Sequence, residues 1–299
     1  MKIAFIGLGA MGGPMAAALV RGGHAVTGFD LSEKALDALV TAGGARASSV
    51  AEACDGVDAL VLMVVNAAQA GMVLFDGGAL EALAEGALVL SCVTMPEADA
   101  VALGEKVAAT GRLYLDAPVS GGAVGAANAA LTFMASGSGP TFAAARPLMD
   151  AMGQHVFECG DAPGAGSTMK MVHQLAAGCN LAVAAEVMSF GTHLGLDPQR
   201  VLDVLNVSAG GSWMIGNRGP RMLTEGEEAT SAVDIFVKDL GIVLDAARAS
   251  RFPVPVSASA LQVFLGASGA GFGAHDDSQA TRFYEATGGK PVRRASTPD

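Results

Sequence analysis

The sequence predicts an α/β fold: an N-terminal, doubly wound Rossmann domain followed by an all-α C-terminal domain led by a long interdomain helix. Three observations predict it. Up to about residue 160, short apolar runs alternate with longer amphipathic ones, the pattern of repeated βαβ units around a parallel sheet. A glycine-rich segment, Gly7-Leu8-Gly9-Ala10-Met11-Gly12, joins the first apolar run to the first amphipathic one. After Gly166 the strand pattern stops and helical periodicity takes over.

The strands expected in order are Lys2–Ile6, Ala25–Asp30, Ala59–Val65, Ala87–Ser91 and Leu113–Asp116. Helices Met11–Arg21, Glu33–Thr41 and Pro96–Ala109 lie between them. Two further strands, Leu131–Ala135 and His155–Glu158, flank a helix from about Phe142 to Met152. The turn-like Asp161-Ala162-Pro163-Gly164-Ala165-Gly166 marks the domain boundary, which gives domains 1–163 and 164–290 and a loose tail, 291–299. One long helix is expected from Ser167 to about Leu194, then helices at Pro198–Val207, Ser212–Met222 and Asp239–Ala249. In the last, Leu240, Val243, Leu244 and Ala247 form one apolar face.

Composition narrows the function. Of 299 residues, 51% are hydrophobic and 16% charged, which excludes a disordered chain. A net charge of −11 argues against nucleic-acid and anionic-membrane partners. The four cysteines, Cys54, Cys92, Cys159 and Cys179, are too scattered for a zinc site or a disulfide scaffold and suit a reducing cytosol. No apolar signal-peptide core opens the chain, and no uninterrupted apolar run reaches the ~20 residues of a bilayer span, so a cytoplasmic protein is expected.

The glycine segment has the setting of a dinucleotide loop: strand before, helix after, and Asp30 closing the second strand. Gly7 permits the tight turn and Gly9 the approach of a pyrophosphate. Gly12 permits close helix–strand packing. Asp30 can accept hydrogen bonds from the adenosine ribose hydroxyls and repels a 2′-phosphate, so NAD is expected over NADP. The plainer alternative, that Asp30 caps the next helix, is weaker because Ser32 is better placed to do so.

Four motifs in this order resemble the β-hydroxyacid dehydrogenase family, that of 3-hydroxyisobutyrate dehydrogenase. They are Gly7 through Met15, Asp116-Ala117-Pro118-Val119-Ser120-Gly121-Gly122, Gly166-Ser167-Thr168-Met169-Lys170 and Lys238-Asp239-Leu240. The resemblance implies that Lys170 is catalytic and that Ser120, Gly121, Gly122 and Gln174 bind substrate. It further implies that Val65, Asn66, Thr94 and Lys238 contact the cofactor, and that the protein is a homodimer or homotetramer. Segments such as Val64-Val65-Asn66-Ala67-Ala68-Gln69 and Gly211-Ser212-Trp213-Met214 look most like the L-threonate-oxidising branch, which implies oxidation of the C2 hydroxyl of that sugar acid. Departures from the common pattern support a polar substrate. Gln174 stands where many members have asparagine, and Ser231 where many have phenylalanine.

The chemistry fits a lysine. Removing hydride from a secondary alcohol requires a base for the hydroxyl proton. Burial, the cationic nicotinamide and the start of a helix would each favour a neutral amine. Ser120-Gly121-Gly122 offers a hydroxyl and backbone N–H groups to a carboxylate; its plainer reading is a flexible turn. Lys238 has an alternative too, a surface ion pair with Asp234 at i−4. His173 is read as a structural hydrogen-bonder, and Asp276-Asp277-Ser278 as a helix cap rather than a metal site. No metal is expected. Two other functions remain open: 3-hydroxyisobutyrate dehydrogenase or tartronate semialdehyde reductase on the same fold, and a catalytically silent dinucleotide-binding scaffold. Lys170 argues against the last.

Overall fold

Alternation along the first strand decides the layering of the first unit. In the computed structural model, which describes residues 1–224 and 229–292, β1 (Lys2–Ile6) sends Ile3 and Phe5 into one core and Ala4 and Ile6 into another. Side chains of successive strand residues point to opposite faces, so a central strand covered on both sides is apolar throughout. With β2 (Ala25–Phe29), β3 (Ala45–Arg46), β4 (Ala59–Leu62), β5 (Leu88–Ser91) and β6 (Leu113–Asp116) it forms a parallel sheet in the order β3-β2-β1-β4-β5-β6. This is the doubly wound order, with its switch point between β1 and β4.

Helices α1 (Gly12–Arg21) and α2 (Glu33–Thr41) cover the first face. Helices α3 (Val50–Cys54), α4 (Ala67–Gly71), α5 (Ala79–Ala82) and α6 (Glu97–Ala108) cover the second. Beyond β6 the sheet becomes mixed, because β7 (Val119–Ser120) and α7 (Gly122–Ala127) turn the chain back. β8 (Leu131–Ser136) therefore runs antiparallel to β6 and β7, whereas β9 (Gly153–Gly160) runs parallel to β8 after α8 (Gly139–Met152). The parallel sheet read from the alternation runs through β6, and the pairing becomes mixed at this edge.

A 29-residue helix, α9 (Ala165–His193), follows the expected turn. The chain forms two compact units, Met1–Met171 and Val172–Asp299. By length and composition α9 could cross a membrane; half of its most apolar window is buried in the protein. The second unit continues with α10 (Pro198–Asn206), α11 (Trp213–Met222), α12 (Val233–Ser250), α13 (Pro255–Ala267) and α14 (Arg282–Ala286). Its core includes the stacked Phe236 and Phe264 rings, 5.0 Å apart. Gly178 lets Leu240 pack closely on α9, since a Cβ there would lie 2.8 Å from it.

The helix expected from Asp239 begins earlier, at Val233, because Val233 and Phe236 extend the same inward face by two steps. The tail expected over 291–299 lies, from residue 293 on, outside the described residues.

Candidate active site

The residues singled out in the first unit lie at the carboxyl ends of its parallel strands, where open α/β sheets bind ligands. Gly7 follows β1, Asp30 follows β2, Val65 and Asn66 follow β4, and Thr94 follows β5. The three loop glycines each answer a different demand. Gly7 has φ +93°, and a Cβ there would sit 2.4 Å from the Met63 carbonyl oxygen. A Cβ on Gly12 would lie 1.8 Å from the Gly7 carbonyl oxygen, so α1 packs against the loop only without a side chain. At Gly9 an added Cβ meets no described atom within 4 Å. The protein itself does not require glycine there, whereas a pyrophosphate approaching the backbone does.

The start of α1 fits the same ligand. No side chain among the described residues caps it, while α2, α3, α4 and α8 are capped by Ser32, Ser49, Asn66 and Ser138. Uncapped N–H groups at a helix start attract phosphate. Asp30 braces the loop: the Leu8 N–H donates to its Oδ2 (2.6 Å) and the Ser32 N–H to its Oδ1 (2.8 Å). Ser32, not Asp30, caps α2. Asn66 and Gln69 cap reciprocally at α4: Asn66 Oδ1 accepts from the Gln69 N–H, and Gln69 Oε1 from the Val65 N–H, both at 2.9 Å.

Asp116 closes β6, and the chain then turns through β7 to Ser120, Gly121 and Gly122. Gly121 (φ +131°) and Gly122 (φ +63°) adopt left-handed backbone where α7 begins. Lys170 lies on α9 and is 6% exposed, so it is not a solvated surface lysine.

In the second unit, Gln174 is buried and its amide is held at both ends. Nε2 donates to Asp239, and Oε1 lies 2.9 Å from His173 Nδ1. Lys238 pairs with Asp239 at 2.6 Å rather than with Asp234, which instead accepts from the Ser268 hydroxyl. Asp239 is a residue that sequence reasoning passed over. Its signal was legible, because it shares the inward face with Phe236, Leu240 and Val243 at helical spacing.

Ser231 bonds elsewhere than at a substrate. Its hydroxyl bonds Asp277, as does its carbonyl through the Asp277 N–H at 2.7 Å. Asp276 accepts from the Ser278 N–H as a cap and also pairs with Arg221. Asp277, pushed above the usual carboxylate range by burial, takes two hydrogen bonds from Arg218 at 2.6 and 3.0 Å. Both carboxylates therefore close on arginines of α11. Among the described residues no three His, Cys, Asp or Glu side chains gather as metal ligands. Burial raises the cysteine thiols, that of Cys54 to about 12, so they are poor nucleophiles.

Residues 2–160 match the NAD-binding domain of 6-phosphogluconate dehydrogenase. Residues 164–284 match the domain described as the NAD-binding of NADP-dependent 3-hydroxyisobutyrate dehydrogenase. The L-threonate dehydrogenase of Cupriavidus necator is 46% identical over 284 residues, 95% of this chain and 96% of that protein. The 3-hydroxyisobutyrate dehydrogenase of Pseudomonas aeruginosa is 36% identical over 270 residues, 88% and 90% of the two chains. The crystal structure of a 3-hydroxyisobutyrate dehydrogenase from Salmonella typhimurium superposes with a TM-score of 0.91 at 43% identity, covering 94% of this chain and 99% of that one. Matched in both parts of its length, with an uncapped dinucleotide loop and a buried lysine opening its long helix, the chain belongs to the 3-hydroxyisobutyrate dehydrogenase family of NAD(P)-dependent hydroxyacid dehydrogenases.

Proposed function

We propose that the protein is an L-threonate dehydrogenase that oxidises the C2 hydroxyl of L-threonate with NAD. The observation that carries this reading is the 46% identity to a relative of that name, ten points above the Pseudomonas 3-hydroxyisobutyrate enzyme. The Salmonella structure bears the rival name, so substrate preference is the deciding experiment.

When bound, the nicotinamide cofactor supplies the hydride acceptor. Lys170 accepts the hydroxyl proton as the alcohol becomes a ketone, and its burial keeps water from competing for that proton. The Ser120 hydroxyl and the backbone of Gly121 and Gly122 hold the carboxylate. Gly7, Leu8, Gly9, Ala10, Met11 and Gly12 cradle the pyrophosphate, and Val65, Asn66 and Thr94 border the cofactor. The roles given to Gln174, toward substrate, and to Lys238, toward the nicotinamide ribose, rest on the family resemblance. For Gln174 the reading is that Asp239 and His173 orient its amide.

NAD over NADP rests on Asp30, a carboxylate braced by two backbone N–H groups at the end of β2. With L-threonate as substrate, reduction of NAD should exceed that of NADP in kcat/KM, and Asp30→Ala should narrow the ratio. Equal or better turnover with NADP would overturn the cofactor assignment. The proposal includes a cytoplasmic homodimer or homotetramer. The support for assembly is a stripe on α9 formed by Val172, Val183 and Phe190, each more than half exposed.

A further inference from the structure

Asp116 is the last residue of β6 and is wholly buried. Its carboxylate receives four hydrogen bonds. Oδ2 accepts from the Gly164 N–H (3.0 Å), the Ser167 N–H (2.8 Å) and the Ser136 hydroxyl (3.3 Å), and Oδ1 accepts from the Ser167 hydroxyl (2.8 Å). Ser136, its register partner at the end of β8, accepts in turn from the Gly166 N–H at 2.8 Å. A Cβ on Gly166 would lie 2.5 Å from the Met134 carbonyl oxygen and 2.7 Å from that of Asp116, so α9 begins in direct contact with both strand ends. Lys170 is three residues past Ser167, within one turn.

The choice of residue type is informative. Four other helices of this unit are capped by serine or asparagine side chains that are exposed or half-buried and carry no charge. A buried carboxylate is costly, and here burial pushes it above the usual carboxylate range although four donors pull it back. Its titratable neighbours Cys92, Tyr114 and Cys159 are themselves raised by burial and stay neutral at neutral pH. The group on α9 is instead a buried carboxylate, which can place a negative charge beside the positive end of the helix dipole.

We propose that Asp116 is a positioning residue for Lys170: it locks the opening turn of α9 to the ends of β6 and β8 and offsets the positive helix end. Lys170 thereby keeps its place one turn into the helix. The inference rests on reading Lys170 as the base.

The test uses the full-length enzyme with Asp116→Asn, which keeps the shape and removes the charge. Three quantities are measured: kcat with L-threonate, the NAD dissociation constant, and the rate at which an amine-selective acylating reagent modifies Lys170, read by peptide mass spectrometry. A misplaced group costs up to about 100-fold, so kcat should fall by roughly 10- to 100-fold while NAD affinity stays within about twofold. Lys170 should be acylated faster, since a loosened opening turn of α9 exposes an amine that is now buried. Unchanged kcat and labelling would overturn the proposal, as would an equal loss of NAD affinity, which marks general damage to the domain. Should Asp116→Asn fail to fold, Ser136→Ala removes one link of the clamp and should shift kcat and labelling in the same directions; no change in either overturns the proposal. Lys170→Met is run in parallel. If it retains turnover, the base assignment itself is wrong. If it is inactive while Asp116→Asn behaves as wild type, only the positioning role fails.

Discussion

Lys170 is a buried, ionisable side chain near the start of a helix, and few residues keep that placement for packing alone. Lys170→Met should abolish turnover and leave NAD binding near wild type. Loss of a positioned acid–base group costs ~10²–10⁴ in rate, so a variant keeping more than about a tenth of kcat would contradict the role. Titration of protein fluorescence with NAD checks the second half. At this scale the sequence revealed residue types better than partners. Gln174 and Ser231 were both legible as polar substitutions, but Asp239 and Asp277, which take their hydrogen bonds, lie 65 and 46 residues away. Arg218 and Arg221, which neutralise the Asp276–Asp277 pair, are likewise more than 50 residues distant, and no local pattern announces them.

Among elements, those with many repeats of a period were legible and those with few were not. The apolar runs of β1, β4 and β5 and the long α9 could be read directly. Two-residue strands such as β3 and β7, and helices of one turn such as α3 and α5, contain too few positions to show a period. Helix α13 was missed although it carried a signal: Pro255 at its first turn, then Ala260, Val263, Phe264 and Ala267 on one buried face. The dinucleotide loop offers the sharpest test at this scale. Gly12→Ala forces a Cβ against backbone and should destabilise the protein by about 1–3 kcal/mol or more, seen as a lowered thermal midpoint. Gly9→Ala meets open space and should leave that midpoint nearly unchanged, yet weaken NAD binding by tenfold or more, about 1.4 kcal/mol. Equal effects of the two variants on stability would remove the evidence that Gly9 serves a ligand.

For the whole molecule, composition and the order of four motifs conveyed the architecture and the reaction class. The assembly state follows from a different kind of observation. Val172, Val183 and Phe190 recur on one side of α9 at intervals of 11 and 7 residues, each near a whole number of helical turns. A stripe of that length exposed on one chain suits a self-complementary interface. Light scattering during size exclusion should give a dimer or tetramer of the 29.8 kDa chain, and Phe190→Glu should shift it toward monomer. A monomeric wild type would contradict this.

The central claim is that a small polyhydroxy acid, rather than a methyl-bearing one, is the substrate. It is tested most directly by measuring kcat/KM with NAD for L-threonate and for 3-hydroxyisobutyrate on the same enzyme preparation. Hydroxyl-recognising sites reject substrates lacking the group because buried polar groups are then left unpaired, at about 1–3 kcal/mol each. The account predicts a higher kcat/KM for L-threonate, by about tenfold or more on that scale. A higher value for 3-hydroxyisobutyrate would contradict it.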